Sequence, residues 1–543
     1  MKNKLKKIEA ILNQAMENPI RPAVWALGFS GIIATRMFIE FFVASSAMPV
    51  NEIMVEYLHN FFFFLLSFLM IRLVLGLILK ENPVRLSRLI LWAFWLIILP
   101  PLIDIVKTGG QVYWSFYALN SLSGLWGQFW TIFGRLPSGI VYFGTKITFI
   151  LAIIFSGGLV LIKSKNWLKA CLAGAFTYSI LFFMGTFPSF FSFGYYFFEK
   201  SKKVSAVNEV DIIQLFGVPA KLFGTEFNNL KYSLAYNLDL IYYLFLLALL
   251  AVLFFLSDRK KLWASVKNAR FPQLIYHAGL FFIGLGLGFL AYPENFNLNI
   301  FSFFSTLILL ASVWLAWIAS VIVNDIYDFK IDEISNPDRP LQKKIFSIQE
   351  YAEFGAIIFL LSILGGLVIS LKFAGLIFIY QFIAWAYSAL PFRLKKFPVI
   401  ATFLSSVASL IILFIGFTLV SGNANIHGLS SRIILLILAA LTLSLPIKDF
   451  KDIEGDKKYG IWTIPVLFGE NKSRLIVSTG VFISFMLSVF LLNESRLFWW
   501  AILFGGISYL IITSRKINPR NLFWWVLCAV GAYGVILVKI VFL

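Results

Sequence analysis

Long apolar runs recur along the whole of this 543-residue chain, and they restrict its fold more than any other feature of the sequence. A helix of about 20 apolar residues crosses the hydrocarbon core of a bilayer, and many of these runs reach that length. The runs are continuous, whereas the strands of a membrane β-barrel alternate between apolar and polar residues. Only 13% of the residues are charged, about half the usual share for a soluble domain. The sequence therefore predicts an all-α polytopic membrane protein.

The formal net charge of +19 would by itself be compatible with nucleic-acid binding. The basic residues instead cluster in short loops between the apolar runs, as the positive-inside rule describes. Lysine-rich loops of this kind also suit an anionic lipid surface. We therefore expect a lipid bilayer, and no nucleic acid, as the partner of these basic loops.

Polar stretches divide the apolar runs into four predicted segments. Residues 1–23 are predicted to form an amphipathic cytoplasmic segment, and residues 24–257 an accessory transmembrane domain of unknown function with about six spans. A basic cytoplasmic linker follows at residues 258–272, and residues 273–543 are predicted to form a second transmembrane domain with about nine spans. In the last segment, lysines and arginines concentrate in the loops after the second, fourth, sixth and eighth spans. We expect a multi-pass protein of a prokaryotic plasma membrane, with these loops on the cytoplasmic face.

The accessory domain contains ionisable residues inside or beside its predicted spans, namely Arg36, Glu40, Arg72, Asp104 and Lys146. Ionisable residues at membrane depth are candidates for a functional role, although internally paired structural groups explain them equally well. Arg36 and Glu40 are four residues apart, so they are able to pair on one helix face. The three histidines of the chain are scattered and have no metal-ligand spacing.

Two aspartate-rich stretches, each following a long apolar run, carry the clearest chemical information. Each contains three aspartates at offsets of three and four residues, namely Asp325, Asp328 and Asp332, and then Asp449, Asp452 and Asp456. On a helix this spacing places three carboxylates on one face. Carboxylates at the ends of membrane helices are costly, and a solvated acidic loop is the simplest alternative explanation. We predict that they hold Mg²⁺ and a diphosphate, because Mg²⁺ binds a few carboxylates and completes its shell with water and phosphate.

The residues around these aspartates resemble a known family. Residues 324–341 are similar to the first aspartate-rich motif of the UbiA superfamily of intramembrane prenyltransferases, and residues 448–466 are similar to the second. Residues 387–396 resemble the basic motif between them. The resemblance extends over roughly residues 260–543, and it implies a nine-helix UbiA-like bundle preceded by an additional bundle of about six transmembrane helices. The N-terminal half resembles no family that we recognise.

The resemblance implies transfer of a polyprenyl group from an isoprenoid diphosphate to an aromatic or lipid hydroxyl acceptor associated with the membrane, through an allylic carbocation-like transition state. The motifs are similar to those of a branch that includes archaeal geranylgeranylglyceryl-phosphate prenyltransferases and chlorophyll or homogentisate prenyltransferases. That branch often continues Arg-Pro-Ile-Pro-Ser-Gly, whereas this chain reads Arg-Pro-Leu-Gln-Lys-Lys at residues 339–344. The acceptor therefore remains open.

Beside the six aspartates, the predicted catalytic residues include Tyr387, a candidate to shelter the allylic cation, and Lys448. The predicted substrate-binding residues are Asn324, Arg339, Arg393, Lys395 and Lys396. Arginine binds phosphate through its planar fork and lysine binds it as a point charge. The basic residues of the loop after Tyr387 fit a plain positive-inside loop equally well.

Two other functions remain compatible with the sequence. Acidic residues at helix ends also bind coupling cations in membrane transporters or lipid-binding scaffolds, although no inverted repeat relates the two halves of this chain. A glycosyl-type transferase that uses a polyprenyl phosphate would need the same kind of metal site. In the prenyltransferase interpretation, we expect the accessory domain to supply substrate, bind a partner or move product outward.

Overall fold

The computed structural model describes residues 2–18, 20, 22–44, 50–108, 117–134, 143–217, 230–295, 298–421 and 428–541. These residues form helices joined by turns and contain no β-strand. Fourteen helices among them are long and apolar enough to cross a membrane. The predicted all-α polytopic architecture is therefore confirmed. The chain divides into two compact units between Arg259 and Lys260.

The described part of the N-terminal unit consists of α1 (Lys2–Glu17), α2 (Pro22–Ala44), α3 (Val50–Leu79), α4 (Pro83–Ala93), α5 (Leu99–Thr108), α6 (Leu122–Thr131), α7 (Phe143–Ser164), α8 (Trp167–Gly185), α9 (Phe187–Glu199), α10 (Glu209–Phe216) and α11 (Leu230–Ser257). Five of the fourteen candidate spans lie in this unit. In addition, α2 has 23 residues, which is enough to cross a bilayer.

The predicted amphipathic segment forms α1, and the C-terminal end of this helix packs against protein, whereas Ile8 and Ile11 are exposed. Met16 is 4% exposed and belongs to a core cluster with Leu75 and Leu86. In α4, which contributes Leu86, Pro83 stands at the first turn and the Asn82 side chain accepts a hydrogen bond from the backbone N–H of Val84. The start of α4 is therefore set by its own sequence.

The ionisable residues of the N-terminal unit have local partners. The Arg36 guanidinium donates to Glu40 Oε1 at 2.8 Å, as the four-residue spacing predicts. Arg72 donates to Ser87 Oγ at 2.9 Å, and Lys146 donates to the Phe133 carbonyl at 3.1 Å. The side chain of Asp104 lies outside the described residues. These contacts agree with internally paired structural groups.

The C-terminal unit consists, in its described part, of α12 (Arg259–Asn268), α13 (Phe271–Ala291), α14 (Ile300–Tyr327), α15 (Phe329–Ser335), α16 (Ile348–Ile369), α17 (Leu371–Ser388), α18 (Pro398–Ser421), α19 (Ser431–Ser444), α20 (Ile453–Lys458), α21 (Ile464–Leu492), α22 (Phe498–Thr513) and α23 (Pro519–Val541). Nine of the fourteen candidate spans lie in this unit, as predicted. Short helices interrupt the bundle after α14 and α19, where the two aspartate motifs are found.

Close packing of α13 against α18 depends on glycine. A Cβ atom on Gly284 would overlap the backbone carbonyl of Leu413, and one on Gly416 would overlap the carbonyl of Phe281. Small residues let the backbones of membrane helices approach closely, and the gain in van der Waals packing holds such helices together. The tight α13–α18 pair fixes the positions of two helices whose N-terminal ends contribute to the site described next.

Candidate active site

The first aspartate motif lies where α14 ends and α15 begins. Asp328 is the junction residue, and its backbone N–H still donates to the Asn324 carbonyl at 2.9 Å. The next turn continues in the same way, since the Asp332 N–H donates to the Asp328 carbonyl at 2.9 Å. All three aspartates of this motif are less than 9% exposed. The motif therefore keeps near-helical spacing across a change of helix.

The second motif begins in a 3₁₀ turn, Leu445–Lys451, that continues from α19. Pro446 is at the second position of this turn, where proline is unable to donate an α-helical hydrogen bond. The turn places Lys448 and Asp449 at the end of the span, and α20 carries Asp456.

The two motifs are in contact. The Asn336 side-chain amide donates to Asp332 Oδ1 at 3.0 Å and to Asp452 Oδ1 at 3.1 Å. The backbone of α20 approaches α15 closely, because a Cβ atom on Gly455 would overlap the Ser335 side chain. The sequence indicated that the motifs are able to meet, and the structure shows which residues connect them.

Both motifs line one cavity of about 370 Å³. Ten of the thirteen predicted site residues border it, namely Asn324, Asp328, Asp332, Arg339, Tyr387, Lys395, Lys448, Asp449, Asp452 and Asp456. Asp325, Arg393 and Lys396 are not among its lining residues. The cavity therefore contains most of the residues that the sequence selected.

Cationic side chains neutralise the first motif. Arg339 donates to Asp325 Oδ1 at 2.7 Å and also to Asp332, so that it bridges two carboxylates. The Lys395 ammonium donates to both carboxylate oxygens of Asp328. Arg393 reaches the same carboxylate, with its Nη2 atom 3.2 Å from Oδ1. Arg393 therefore does not line the cavity itself but contacts Asp328, which does.

Asp325 is the most enclosed aspartate of the first motif, with 1% exposure. Its carboxylate accepts hydrogen bonds from Arg270 at 3.0 Å, from Asn268 at 2.6 Å and from Tyr351 at 3.3 Å, in addition to Arg339. Asp325 is therefore placed to hold the side chains of Arg270 and Arg339 in position.

Two of the carboxylates that line the cavity, those of Asp332 and Asp456, have a pKa above that of an ordinary aspartate. Burial, together with the charges of Asp325 and Asp328, raises the pKa of Asp332 to about 7, although Arg339 opposes the rise. Burial and the charges of Asp452 and Asp449 raise the pKa of Asp456 to about 8. The second motif therefore concentrates negative charge that a cation would stabilise.

Lys448 lies beside Tyr387, with its ammonium nitrogen 4.9 Å from the centre of the Tyr387 ring, and donates to Ser405 Oγ at 3.2 Å. A lysine cation already covers one face of this tyrosine, which limits its use as a shelter for a carbocation. Lys396 is half-buried. It stays a predicted substrate-binding residue that the lining of the cavity does not include.

Several lining residues were missed by the sequence reasoning. Arg270, Lys451 and Arg520 add cations to the cavity. Arg270 stands just before α13 and Arg520 lies in the first turn of α23, at the same ends of the spans as the aspartate motifs. Their position next to these span ends was the available indication.

An aromatic wall was also missed. His277, Trp317 and Tyr380 line the same cavity, each two helical turns into the bundle from Arg270, Asn324 and Tyr387 respectively. Two turns correspond to about 10 Å along a helix. The His277 ring packs at a tilt against Trp317, with the ring centres 4.8 Å apart, and its Nε2 atom lies 3.2 Å from the Tyr380 hydroxyl oxygen. The lining of the cavity thus changes from charged side chains to aromatic side chains along the helices.

The oxygen ligands that Mg²⁺ prefers are present, because five aspartates border the cavity. Within the described residues, however, no three or more His, Cys, Asp or Glu side chains are gathered closely enough to hold a metal ion. This arrangement fits Mg²⁺ bound through one or two carboxylates together with substrate phosphates, which is its common mode in proteins. It does not fit an all-protein cage.

Most of the C-terminal half of the chain matches a known protein family. The model of the UbiA prenyltransferase family matches residues 279–526, a range that contains both aspartate motifs. The resemblance seen in the sequence is therefore confirmed for this region. The N-terminal unit and α12 lie outside the matched range.

Two archaeal relatives are named digeranylgeranylglyceryl phosphate synthase. The protein of Methanosphaera stadtmanae is 31% identical over 28% of this chain and 54% of its own length. The protein of Methanocaldococcus jannaschii is 28% identical over 35% of this chain and 62% of its own length. The chain thus spans only a little over half the length of these curated relatives.

Solved structures of UbiA homologues are also similar to this chain. A homologue from Archaeoglobus fulgidus bound to GPP and Mg²⁺ is 20% identical, with a TM-score of 0.40, over 51% of this chain and 99% of its own. A homologue from Aeropyrum pernix K1 without ligand is 19% identical, with a TM-score of 0.37, over 49% of this chain and 97% of its own.

Proposed function

We propose that the C-terminal unit is a Mg²⁺-dependent intramembrane prenyltransferase that transfers a polyprenyl group to the hydroxyl of a phosphorylated lipid. The observation that carries this proposal is the single cavity in which carboxylates of both motifs face cationic side chains at one end and aromatic rings at the other. A prenyl diphosphate has the same division, with a charged head and an apolar tail. The match between the two supports the assignment of this substrate class.

The diphosphate would lie at the charged end of the cavity. Arg270, Arg339 and Lys448 border this end and are suited to bind its oxygens. Five aspartates, Asp328, Asp332, Asp449, Asp452 and Asp456, would hold Mg²⁺ beside it. When bound, Mg²⁺ neutralises the charge that grows on the diphosphate as the allylic C–O bond breaks.

The allylic carbon would lie between the charged end and the aromatic wall. Trp317 and Tyr380 present ring faces that stabilise positive charge through their quadrupoles. The bond from the allylic carbon to the diphosphate oxygen breaks, and a new bond forms from the same carbon to the acceptor hydroxyl oxygen. The hydroxyl proton passes to a carboxylate of the cavity.

A second cavity of about 510 Å³ supports an anionic acceptor. It shares Arg270, Arg339, Lys451 and Arg520 with the first cavity, so the two spaces adjoin. Lys260, Lys267 and Lys343 add three further cations, whereas Asp338 is the one acidic residue in its lining. A phosphate monoester on the acceptor would be bound here, as the product named for the archaeal relatives also suggests.

The test uses the full-length protein in lipid nanodiscs with geranylgeranyl diphosphate and either a glycerophosphate ether lipid or its dephosphorylated alcohol. Diphosphate release and product mass are followed with and without Mg²⁺. We expect Mg²⁺-dependent release, with the phosphorylated acceptor preferred by at least tenfold in kcat/KM. Intact diphosphate with both acceptors would refute the prenyltransferase proposal, and equal use of both acceptors would refute only the phosphate preference.

Neighbouring carboxylates provide matched controls. Asp332→Asn and Asp456→Asn are expected to lower the rate by at least a hundredfold. Glu333→Gln and Glu454→Gln alter exposed carboxylates one or two positions away and are expected to leave the rate within about twofold. Equal effects in the two sets would show that the loss reflects helix charge in general and not the cavity.

A further inference from the structure

Four titratable side chains form a continuous hydrogen-bonded chain inside the N-terminal unit. His59 Nδ1 lies 2.8 Å from Asp239 Oδ1, and His59 Nε2 lies 2.8 Å from the Tyr117 hydroxyl oxygen. The Tyr117 hydroxyl lies in turn 2.7 Å from that of Tyr242. Each of the four residues is at most 4% exposed. They connect α3, α11 and the segment before α6, three parts of the chain far apart in sequence.

A stripe of acidic and phenolic side chains, placed by helical spacing, extends from these four residues toward one end of α3 and α11. Glu56 precedes His59 by about one turn on α3 and is 4% exposed, whereas Glu52, one turn further, is partly exposed. On α11, the Tyr232 hydroxyl interacts with Glu52. Acidic and phenolic groups therefore follow one stripe from a partly exposed helix end to the buried imidazole.

The imidazole has two stable arrangements within this geometry. When Nε2 carries no proton, it accepts a hydrogen bond from the Tyr117 hydroxyl. When Nε2 is protonated, it donates to Tyr117, whose own hydrogen then turns to Tyr242. Addition of one proton thus converts a lone buried carboxylate at Asp239 into an imidazolium–carboxylate pair, which removes an uncompensated charge from a low-dielectric site.

We propose that His59 and Asp239 form a proton-binding site of the N-terminal unit, which exchanges a proton with water along the stripe that ends at Glu52. The site binds a proton as its ligand and requires no other reactant. Its location within two candidate spans makes it suited to couple proton movement to a conformational change of this unit. This role is independent of prenyl transfer.

Other titratable groups also lie near the site. Tyr236 and Tyr243 of α11 are buried beside it, and the charge of Asp239 acts on Tyr236. On α2, Arg36 and Glu40 neutralise each other.

Imidazole ¹⁵N resonances of the full-length protein in nanodiscs test the proposal directly. The chain has only three histidines, so ¹⁵N-histidine labelling yields a spectrum that His59→Gln assigns. As the sample is acidified, we expect the two ¹⁵N resonances of His59 to change from those of a neutral imidazole to those of an imidazolium, because Nε2 gains a proton and its hydrogen bond with Tyr117 reverses. Asp239→Asn is expected to lower the midpoint by more than about one pH unit, because the counter-ion is lost. A single neutral tautomer at every pH, or an unchanged midpoint in this variant, would overturn the proposal.

Two milder variants keep the test decisive if Asp239→Asn fails to fold. Tyr117→Phe keeps the His59–Asp239 pair but removes the hydroxyl whose hydrogen bond to Nε2 reverses direction. The ¹⁵N chemical shift of His59 Nε2 should therefore change, while His59 should still gain a proton on acidification. Glu52→Gln alters only the outer end of the stripe. We expect it to slow proton exchange at His59 at least threefold without moving the midpoint, and an unchanged exchange rate would refute the proposed path.

Discussion

Replacement of Asp325 by asparagine tests whether this residue positions the arginines of the site or binds the metal ion. The Asp325 carboxylate is enclosed by Arg270 and Arg339, at 3.0 and 2.7 Å, and does not line the cavity that both aspartate motifs border. Asparagine has nearly the same shape and no charge. The two guanidinium groups therefore lose a shared buried counter-ion while packing is preserved.

The size of the effect follows from these contacts. Removal of one partner from a buried ion pair costs about 3–5 kcal/mol of folding free energy. Arg339 retains Asp332 as a second partner, and the Arg270 side chain keeps contact with water because it is 23% exposed. We therefore expect the lower end of the range, about 3 kcal/mol, or about two orders of magnitude in the folding equilibrium constant.

Unfolding of the full-length protein in mixed lipid–SDS micelles measures this change. Asp338→Asn is the matched control, because the Asp338 side chain is 81% exposed in its pair with Lys343, and we expect a change below about 0.5 kcal/mol. Equal stability of the two variants would refute the ion-pair reasoning. A loss of Mg²⁺ affinity of tenfold or more in Asp325→Asn, with unchanged stability, would instead identify Asp325 as a direct metal ligand.

Three further outcomes follow from the structure. The raised pKa values of Asp332, about 7, and Asp456, about 8, mean that protons compete with Mg²⁺, so the apparent Mg²⁺ affinity in diphosphate-release assays should fall as pH decreases from about 8.5 to 6. Asp456→Asn should flatten the upper part of that profile. Gly284→Ala should destabilise the bundle by about 1–3 kcal/mol through overpacking in micelle unfolding, whereas Gly286→Ala, whose Cβ meets open space, should not. Trp317→Ala should lower kcat by about five- to thirtyfold with little effect on diphosphate KM, because about 1–2 kcal/mol of cation stabilisation is lost; an equal rise in KM would contradict this role.

Much of the architecture was predictable because it depends on local sequence. A helix must satisfy its own backbone hydrogen bonds in lipid, so each apolar run of sufficient length becomes a span without reference to its neighbours. The aspartate motifs were predictable for a related reason. The spacing of Asp325, Asp328 and Asp332 is a property of one helical stretch, and its repetition at residues 449–456 indicated a shared ligand.

Three helices of the N-terminal unit, α6, α9 and α10, were not among the predicted spans. These helices are short or rich in aromatic residues, so length alone did not identify them. Their start signals, such as the Asn208 capping box of α10, were present in the sequence.

The sequence by itself determined that this chain is a bundle of membrane helices with two matched acidic motifs at helix ends. Only the tertiary structure decided which carboxylate faces the cavity and which one is enclosed by arginines, because that depends on the rotation of α14 against α16 and on the approach of Arg270 from another helix. The same holds for His59 and Asp239, which are 180 positions apart and meet only through the packing of α3 against α11. Spacing within one helix is local, whereas a contact between helices depends on the whole packed bundle.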